Sequence, residues 1–212
     1  MTRPAPPLWS FGGGPGSAAY ACFDAARNRL NVRLAAYLDR RMAGAWSPRP
    51  RTLEAGSGPG RCSSLLAGRR RGLTATLLDF DPEPLRLATA RDGDLRAVRA
   101  DLGRMPFADG AFDLVFNSST MEHLDDFGGA LAEMVRVTRP GGRVFVGVPY
   151  RFGPFLPFVL LPAGSAAAVW MGRLYGRAAL EAACADTGLV VEECRRYFFG
   201  CFIGLLMRRT AR

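Results

Sequence analysis

The chain of 212 residues contains no lysine and only one histidine, His123. All 28 basic residues are therefore arginine, and against 19 acidic residues they give a net charge of +9. A charge of this size raises nucleic acid or an anionic membrane as a partner. The arginines are scattered, however, and cluster only at 69–71 and in the C-terminal tail. This distribution favours a solvated basic face, with a functional basic patch as the alternative.

The five cysteines include no C-x-x-C pair, and a single histidine leaves too few ligands for a zinc site at the usual spacing. An odd number of unpatterned cysteines favours reduced, mostly buried thiols and a cytoplasmic location. The first residues, M-T-R-P-A-P-P, lack the apolar core of a signal peptide. We therefore expect a cytoplasmic protein that binds no metal.

A glycine-rich segment follows a short apolar run that ends at Glu54. Glycines occupy alternate positions in it, at Gly56, Gly58 and Gly60. Alternate glycines after a strand allow a sharp turn and a close approach of the backbone to a ligand. A dinucleotide-binding fingerprint, G-x-G-x-x-G, would need its third glycine at position 61, which is Arg61. The segment therefore predicts a ligand-binding loop of a different, more compact type.

The sequence E-A-G-S-G-P-G from Glu54 to Gly60 resembles motif I of the class I S-adenosylmethionine (SAM) dependent methyltransferases. Residues 105–117, M-P-F-A-D-G-A-F-D-L-V-F-N, are similar to the methyltransferase type 11 family, as are E-H-L-D-D at 122–126 and R-P-G-G-R-V at 139–144. The resemblance spans roughly residues 52–149. It implies SAM as cofactor and a Rossmann-like α/β fold, with a seven-stranded, mostly parallel sheet, helices on both faces and an antiparallel edge strand.

The hydrophobic pattern independently predicts strands that alternate with helices, which is typical of an open parallel α/β sheet. We expect one domain over residues 1–212. It comprises a helical cap (1–45), a SAM-binding core (50–149), an apolar insertion or lid (150–176), and a last helix with an edge hairpin (177–212). The predicted boundaries are strands at 73–78, 95–100, 143–148, 189–193 and 198–206, helices at 62–70, 82–91, 126–137 and 180–188, and a turn at 139–142.

The resemblance also implies which residues bind the cofactor. The methionine end would face Glu54 and the backbone around Asn117, the ribose would bind at the tip of the second strand, and the adenine would bind after the third. For the two aspartates, turn formation or helix capping is the alternative role. The implied cofactor-binding residues are Glu54, Gly56, Ser57, Gly58, Gly60, Asp79, Phe80, Asp101, Leu102 and Asn117.

Methyl transfer from a sulfonium is an in-line displacement that depends mainly on positioning, and it needs a base only if the acceptor atom carries a proton. His123 is the candidate base because it titrates near neutrality and follows the fourth strand. Packing near the cofactor without proton transfer is the alternative, and Glu122 and Tyr150 are substitutes as base. In the helical pattern at 17–42, Tyr20 and Phe23 are either pocket residues or core residues.

Residues 152–172 carry no charge, and the length of this uncharged segment approaches that of a membrane span. Three prolines and Gly164 interrupt any helix there, and a span at this point would divide the sheet. Three interpretations stay open: a lid over an apolar acceptor pocket, a peripheral contact with a membrane surface, or an insertion that packs on the core.

The resemblance leads us to expect a SAM-dependent methyltransferase for a small acceptor, and the uncharged segment that begins at Phe152 favours a lipophilic one. An RNA methyltransferase is one alternative, but residues 117–120 read N-S-S-T, without the Pro-Pro-aromatic segment that grips a flipped base. A non-catalytic interaction protein is the other alternative. The sequence does not specify the acceptor or the oligomeric state.

Overall fold

The computed structural model describes residues 18–154 and 171–210, and in the first helix it describes side chains from residue 25 onward. The described residues form one seven-stranded sheet with helices on both faces. The elements are α1 (Ala18–Arg41), β1 (Arg51–Ala55), α2 (Arg61–Arg69), β2 (Thr74–Asp79), α3 (Pro82–Arg91), β3 (Arg96–Arg99), β4 (Phe112–Ser118), a 3-10 turn (Met121–His123), α4 (Phe127–Val137), β5 (Thr138–Pro149), α5 (Arg177–Ala183), β6 (Leu189–Tyr197) and β7 (Phe202–Arg209).

The strands lie in the order β3-β2-β1-β4-β5-β7-β6. Strands β1 to β5 are parallel, and β7 runs antiparallel to both of its neighbours, β5 and β6. The predicted fold and antiparallel hairpin are confirmed. The antiparallel strand is β7, which lies next to the edge strand β6. Successive strands proceed outward from β1 on one side and from β4 on the other. This reversal creates a crevice at the carboxyl ends of β1 and β4, where ligands bind in open α/β sheets.

The alternation of side chains along β4 shows how the sheet separates two cores. Leu114 and Phe116 pack with buried residues of α1 and α2, including Leu38 and Leu66. Val115 faces the opposite way and packs with residues of α4 and α5. A strand that is apolar on both faces is typical of the centre of a parallel sheet.

Side-chain caps set the starts of two helices. The carboxylate of Asp81 accepts a hydrogen bond of 3.0 Å from the Glu83 N–H, and Pro82 occupies the first turn of α3, as the sequence predicts. Asp126 accepts a 2.8 Å hydrogen bond from Gly129 N–H at the start of α4. Local sequence therefore determines where these helices begin.

The predicted turn at 139–142 lies inside β5, where the strand bulges. Strand β4 advances from Phe112 to Leu114 while β5 advances from Thr138 to Arg143. The carboxylate of Asp113 stabilises this irregularity because it accepts a 2.8 Å hydrogen bond from Arg139 Nε and another, also 2.8 Å, from Arg51 N–H. These donors hold the pKa of Asp113 below its usual value despite burial, which raises it.

The C-terminal boundaries also differ from the predicted ones. Helix α5 begins at Arg177 and ends at Ala183, β6 continues to Tyr197, and β7 begins at Phe202. The two strand boundaries are set by the connection at 198–201, in which Phe198, Phe199 and Gly200 all have positive φ. Bulky residues rarely adopt this conformation, so the sequence reads as a strand there.

The two ends of the apolar insertion lie side by side and are joined by hydrogen bonds. Arg151 N–H donates a 2.9 Å hydrogen bond to the Tyr175 carbonyl, and Tyr175 N–H donates one of 3.0 Å to the Pro149 carbonyl. Residues 155–170, which include most of the uncharged segment, lie outside the described residues, as do the side chains of Tyr20 and Phe23. Among the helices that are described, none combines the length and apolar character needed to cross a bilayer.

Candidate active site

A cavity of about 330 Å³ lies at the carboxyl ends of β1, β2 and β4. The glycine loop and Asp79 form one side of it, and residues 118–120, which follow β4, form another. Helix α1 covers the cavity with residues that include Leu30, and the β6–β7 hairpin contributes Phe198 and Phe202. This position is the crevice that the strand order creates, and the volume suits a small ligand.

The three glycines of the loop are required for three different reasons. Gly56 has φ +71°, and a Cβ there would lie 2.5 Å from Thr120 Cγ2. Gly60 has φ +60° and turns the chain into α2, where a Cβ would overlap Leu77. Gly58 has φ +50° and lines the cavity, and no heavy atom lies within 4 Å of the position its Cβ would take. Space beside Gly58 is therefore available to a ligand.

Asp79 connects the glycine loop to the end of β2. Its Oδ2 accepts a 2.7 Å hydrogen bond from Gly58 N–H, and its Oδ1 accepts one of 3.0 Å from Asp81 N–H. The turn-forming role that the sequence left as an alternative is thus present. A carboxylate has about four acceptor positions, so Asp79 can still accept hydrogen bonds from a ligand in the cavity.

Glu54, the last charged residue of β1, lines the same cavity and is buried. Burial raises the pKa of its carboxyl to about 7, although the 3.0 Å hydrogen bond from Ser63 N–H to Oε2 lowers it in part. A cationic ligand group beside it would favour the carboxylate.

Three residues predicted to bind the cofactor do not line the cavity: Phe80, and Asp101 and Leu102, which were predicted to contact the adenine. The ring of Phe80 is 71% exposed and lies 5.7 Å from the guanidinium carbon of Arg99. Asp101 is exposed and accepts a 2.8 Å hydrogen bond from Gly103 N–H, whereas Leu102 is buried in the core. The structure brings Glu54, the glycine loop and Asp79 together, and the roles of these other residues stay predictions.

Asn117 also lies beneath the cavity and not in its wall. Its fully buried side chain donates to the Ala55 carbonyl and accepts a 3.3 Å hydrogen bond from Met121 N–H. It therefore joins the ends of β1 and β4.

Sequence reasoning missed the three residues that follow Asn117. Ser118, Ser119 and Thr120 all line the cavity, and Thr120 Oγ1 donates a 3.0 Å hydrogen bond to the Gly56 carbonyl. Ser118 Oγ lies 3.0 Å from the hydroxyl of Tyr197, whose pKa is raised by burial. The sequence signal that could have identified them is their position directly after β4, where the order of the strands reverses.

Of the three candidate bases, only His123 lines the cavity as the described residues form it. Burial lowers the pKa of its imidazole, which is therefore neutral at pH 7 and able to accept a proton. Glu122 Oε1 lies 3.8 Å from His123 Nε2 and accepts a 2.7 Å hydrogen bond from Ser119 Oγ. Burial raises the pKa of Glu122 to about 7.

Tyr150, the third candidate, pairs with Tyr175 at the base of the insertion. Its ring packs edge-on against Phe152 at a centroid distance of 5.8 Å. It thus supports the wall next to the cavity.

Comparison with known proteins matches residues 53–146 to a family described as a methyltransferase domain. An uncharacterized methyltransferase of Mycobacterium sp. (strain JLS) is 38% identical over 103 residues, which is 49% of this chain and 40% of the relative. A demethylmenaquinone methyltransferase of Beutenbergia cavernae is 37% identical over 114 residues, 54% of this chain and 46% of the relative. The matches thus span less than half the length of these curated relatives.

Among solved structures, a geranyl diphosphate methyltransferase in complex with SAM superimposes with a TM-score of 0.67 at 20% identity. The match covers 93% of this chain and 93% of that one. At this identity the likeness concerns the fold, and it confirms the predicted Rossmann-like methyltransferase architecture.

Proposed function

We propose that this chain is a class I SAM-dependent methyltransferase that transfers the methyl group of SAM to a small, lipophilic acceptor. The match of residues 53–146 to a methyltransferase domain supports the proposal. One observation carries the proposal. The carboxylate of Asp79 closes the glycine loop through Gly58 at the edge of a cavity that also contains the buried carboxyl of Glu54. A loop and two acids in this arrangement suit a ligand with hydroxyl groups and a cationic group.

The geometry of the residues that line the cavity is compatible with bound SAM. Asp79 has acceptor capacity left for ribose hydroxyls, and the open space beside Gly58 admits the ligand close to the backbone. The carboxyl of Glu54 can bind the methionine ammonium, which would favour its ionised form. When bound, SAM supplies an activated methyl group on its sulfonium.

The other part of the cavity suits an apolar acceptor. The apolar side chains of its lining include Leu30, Pro149, Met171, Phe198 and Phe202, and His123 lines the same cavity. A wall of this kind excludes water from the methyl acceptor and binds it through apolar contact. The Beutenbergia relative, named for demethylmenaquinone, is consistent with a lipophilic acceptor.

His123 is the residue that would receive a proton from the acceptor. Its neutral imidazole lines the cavity, and Glu122, which holds its own carboxyl against Ser119 Oγ, lies 3.8 Å from it. Glu122 does not line the cavity and acts as a positioning residue for the imidazole.

The test is calorimetric titration of the wild-type protein and of Asp79→Ala with SAM and S-adenosylhomocysteine. We expect micromolar binding by the wild type and a loss of about 10- to 100-fold in the variant, because hydrogen bonds to charged groups contribute roughly 1.5–3 kcal/mol. Transfer of labelled methyl groups to a panel of quinols and phenols would then identify the acceptor. If folded wild-type protein bound neither compound, the non-catalytic interpretation would replace the proposal.

A further inference from the structure

A second cavity, of about 370 Å³, lies between α1 and the β6–β7 hairpin. It is adjacent to the candidate active site, because Leu30 and Phe198 line both cavities. Three arginines line it, Arg33 from α1 and Arg195 and Arg196 from the end of β6. We refer to it as the arginine cavity.

These three arginines differ from their neighbours in lacking carboxylate partners. Close by, Arg41 contacts Glu193 at 2.6 Å and Arg143 contacts Glu192 at 2.6 Å. No such ion pair involves Arg33, Arg195 or Arg196 among the side chains that the structure describes, which are those of residues 25–154 and 171–210. Three like charges around one cavity repel each other, and an anion placed between them would remove that repulsion.

Two of the guanidinium groups lie over aromatic rings. The Cζ of Arg195 lies 4.1 Å from the centre of the Tyr37 ring, and that of Arg33 lies 5.5 Å from the Phe199 ring. Stacking occupies the face of a guanidinium and leaves its N–H edges free for planar, two-point contact with an oxyanion. The Nε of Arg195 is buried and has no hydrogen-bond acceptor among the described residues.

The hairpin turn that shapes this cavity has an unfavourable backbone. Phe198 and Phe199 have φ of +50° and +56°, a conformation that residues other than glycine rarely adopt. The conformation places the ring of Phe199, a residue that is 74% exposed, beside Arg33, and Phe198 lines both cavities. The same turn therefore contributes to both cavities.

We propose that the arginine cavity binds the phosphate or diphosphate group of an amphiphilic ligand, whose apolar part passes Leu30 and Phe198 into the active-site cavity. Phosphate fits better than carboxylate because its oxygens can contact guanidinium groups from two different elements at once. The proposal rests on the proposed function and specifies its acceptor as a phosphorylated lipophile. The phosphate group belongs either to a soluble acceptor or to a phospholipid in a membrane.

The experiment compares the wild type with Arg195→Gln/Arg196→Gln and with a control that removes the same charge elsewhere, Arg69→Gln/Arg71→Gln. Arg69 and Arg71 are exposed and line neither cavity. Titration with inorganic pyrophosphate should give binding that weakens about 10- to 100-fold in the cavity variant and is unchanged in the control. Titration with S-adenosylhomocysteine should be the same for all three proteins, which separates this proposal from the cofactor site.

Two further probes distinguish the sources of the phosphate. Monomeric dodecyl phosphate that binds more tightly than pyrophosphate, in an Arg195- and Arg196-dependent way, identifies a soluble acceptor. Arginine-dependent binding to vesicles of phosphatidylglycerol and phosphatidylcholine, without binding of the monomer, identifies a membrane lipid. Equal binding of phosphate probes by the cavity variant and the wild type overturns the proposal, as does the absence of binding by wild-type protein that binds S-adenosylhomocysteine.

Discussion

The Oδ2 of Asp79 accepts a 2.7 Å hydrogen bond from the backbone N–H of Gly58, which joins the end of β2 to the glycine loop that follows β1. Its Oδ1 accepts from Asp81 N–H, the residue that caps α3. One carboxylate thus holds the loop, the strand end and the next helix in place. Cofactor binding and local stability are therefore expected to depend on the same side chain.

Asp79→Asn tests this dual role. Asparagine has one acceptor oxygen, so one of the two backbone N–H groups would face the amide NH₂ and lose its partner. We expect the free energy of unfolding to fall by about 1–3 kcal/mol in urea titrations, together with weaker S-adenosylhomocysteine binding. Asp94→Asn is the matched control, because its exposed carboxylate makes no hydrogen bond to the loop. Weaker ligand binding without any loss of stability would show that the contact with Gly58 is dispensable.

Gly56→Ala should unfold more easily than the wild type. The left-handed φ of +71° costs alanine about 1–2 kcal/mol, and the new Cβ would displace Thr120, whose hydroxyl binds the Gly56 carbonyl. Gly68→Ala is the control, since Gly68 lies in α2 with open space around it and alanine favours a helix by about 0.5–1 kcal/mol. Thermal denaturation should shift in opposite directions for the two variants. Equal shifts would contradict the strain argument.

The buried carboxyls of Glu54 and Glu122 should make the protein less stable as the pH rises. Both have folded-state pKa values of about 7 against an ordinary value of 4.5. Between these values the folded protein retains protons that the unfolded chain has released, so stability falls through this window and levels off above pH 7. The change is about 3 kcal/mol for each group.

Glu54→Gln and Glu122→Gln should each remove the part of the pH dependence that the replaced carboxyl causes, and each should raise the free energy of unfolding at pH 8. The two variants should differ in binding, because only Glu54 lines the cavity. Glu54→Gln is expected to lose S-adenosylhomocysteine affinity, whereas Glu122→Gln is expected to keep it. Urea titrations at pH 5 and pH 8, with calorimetry at pH 8, check both effects. If the free energy of unfolding of the double variant still fell with pH as in the wild type, the raised pKa values of Glu54 and Glu122 would be wrong.

His123→Ala should keep its affinity for S-adenosylhomocysteine within about twofold and lose turnover by about 100-fold or more if the acceptor atom carries a proton. Since burial lowers the pKa of His123, the acidic limb of the wild-type rate profile should lie below pH 6.5. His123→Asn preserves a polar side chain without the proton-accepting role and should behave like alanine. A loss of ligand affinity equal to the loss of turnover would assign His123 to cofactor binding instead.

The sequence was informative where a feature depends on neighbouring residues. The alternation of strands and helices, the Asp81 cap before Pro82 and the glycine loop all follow from patterns of a few positions. It was less informative where the backbone adopts a conformation that its residues disfavour, as at Phe198 and Phe199. There the apolar pattern continues, so the strand boundaries at the hairpin were predicted wrongly.

Relationships across the sheet could not be predicted from local patterns. Arg33 and Arg195 are far apart in the chain and meet only because α1 packs against the end of β6. From the sequence the arginines appear scattered, although three of them surround one cavity. The cavity is lined by Ser118, Ser119 and Thr120 and not by the predicted Asn117. This difference likewise depends on where β4 ends.

The hydrogen bonds between Tyr175 and residues 149–151 join the two ends of the apolar insertion beside β5. Doubling the length of a closed loop costs only about 0.6 kcal/mol. We therefore expect the protein to tolerate a longer or shorter segment between Tyr150 and Tyr175 with little effect on the contact between Asp79 and Gly58.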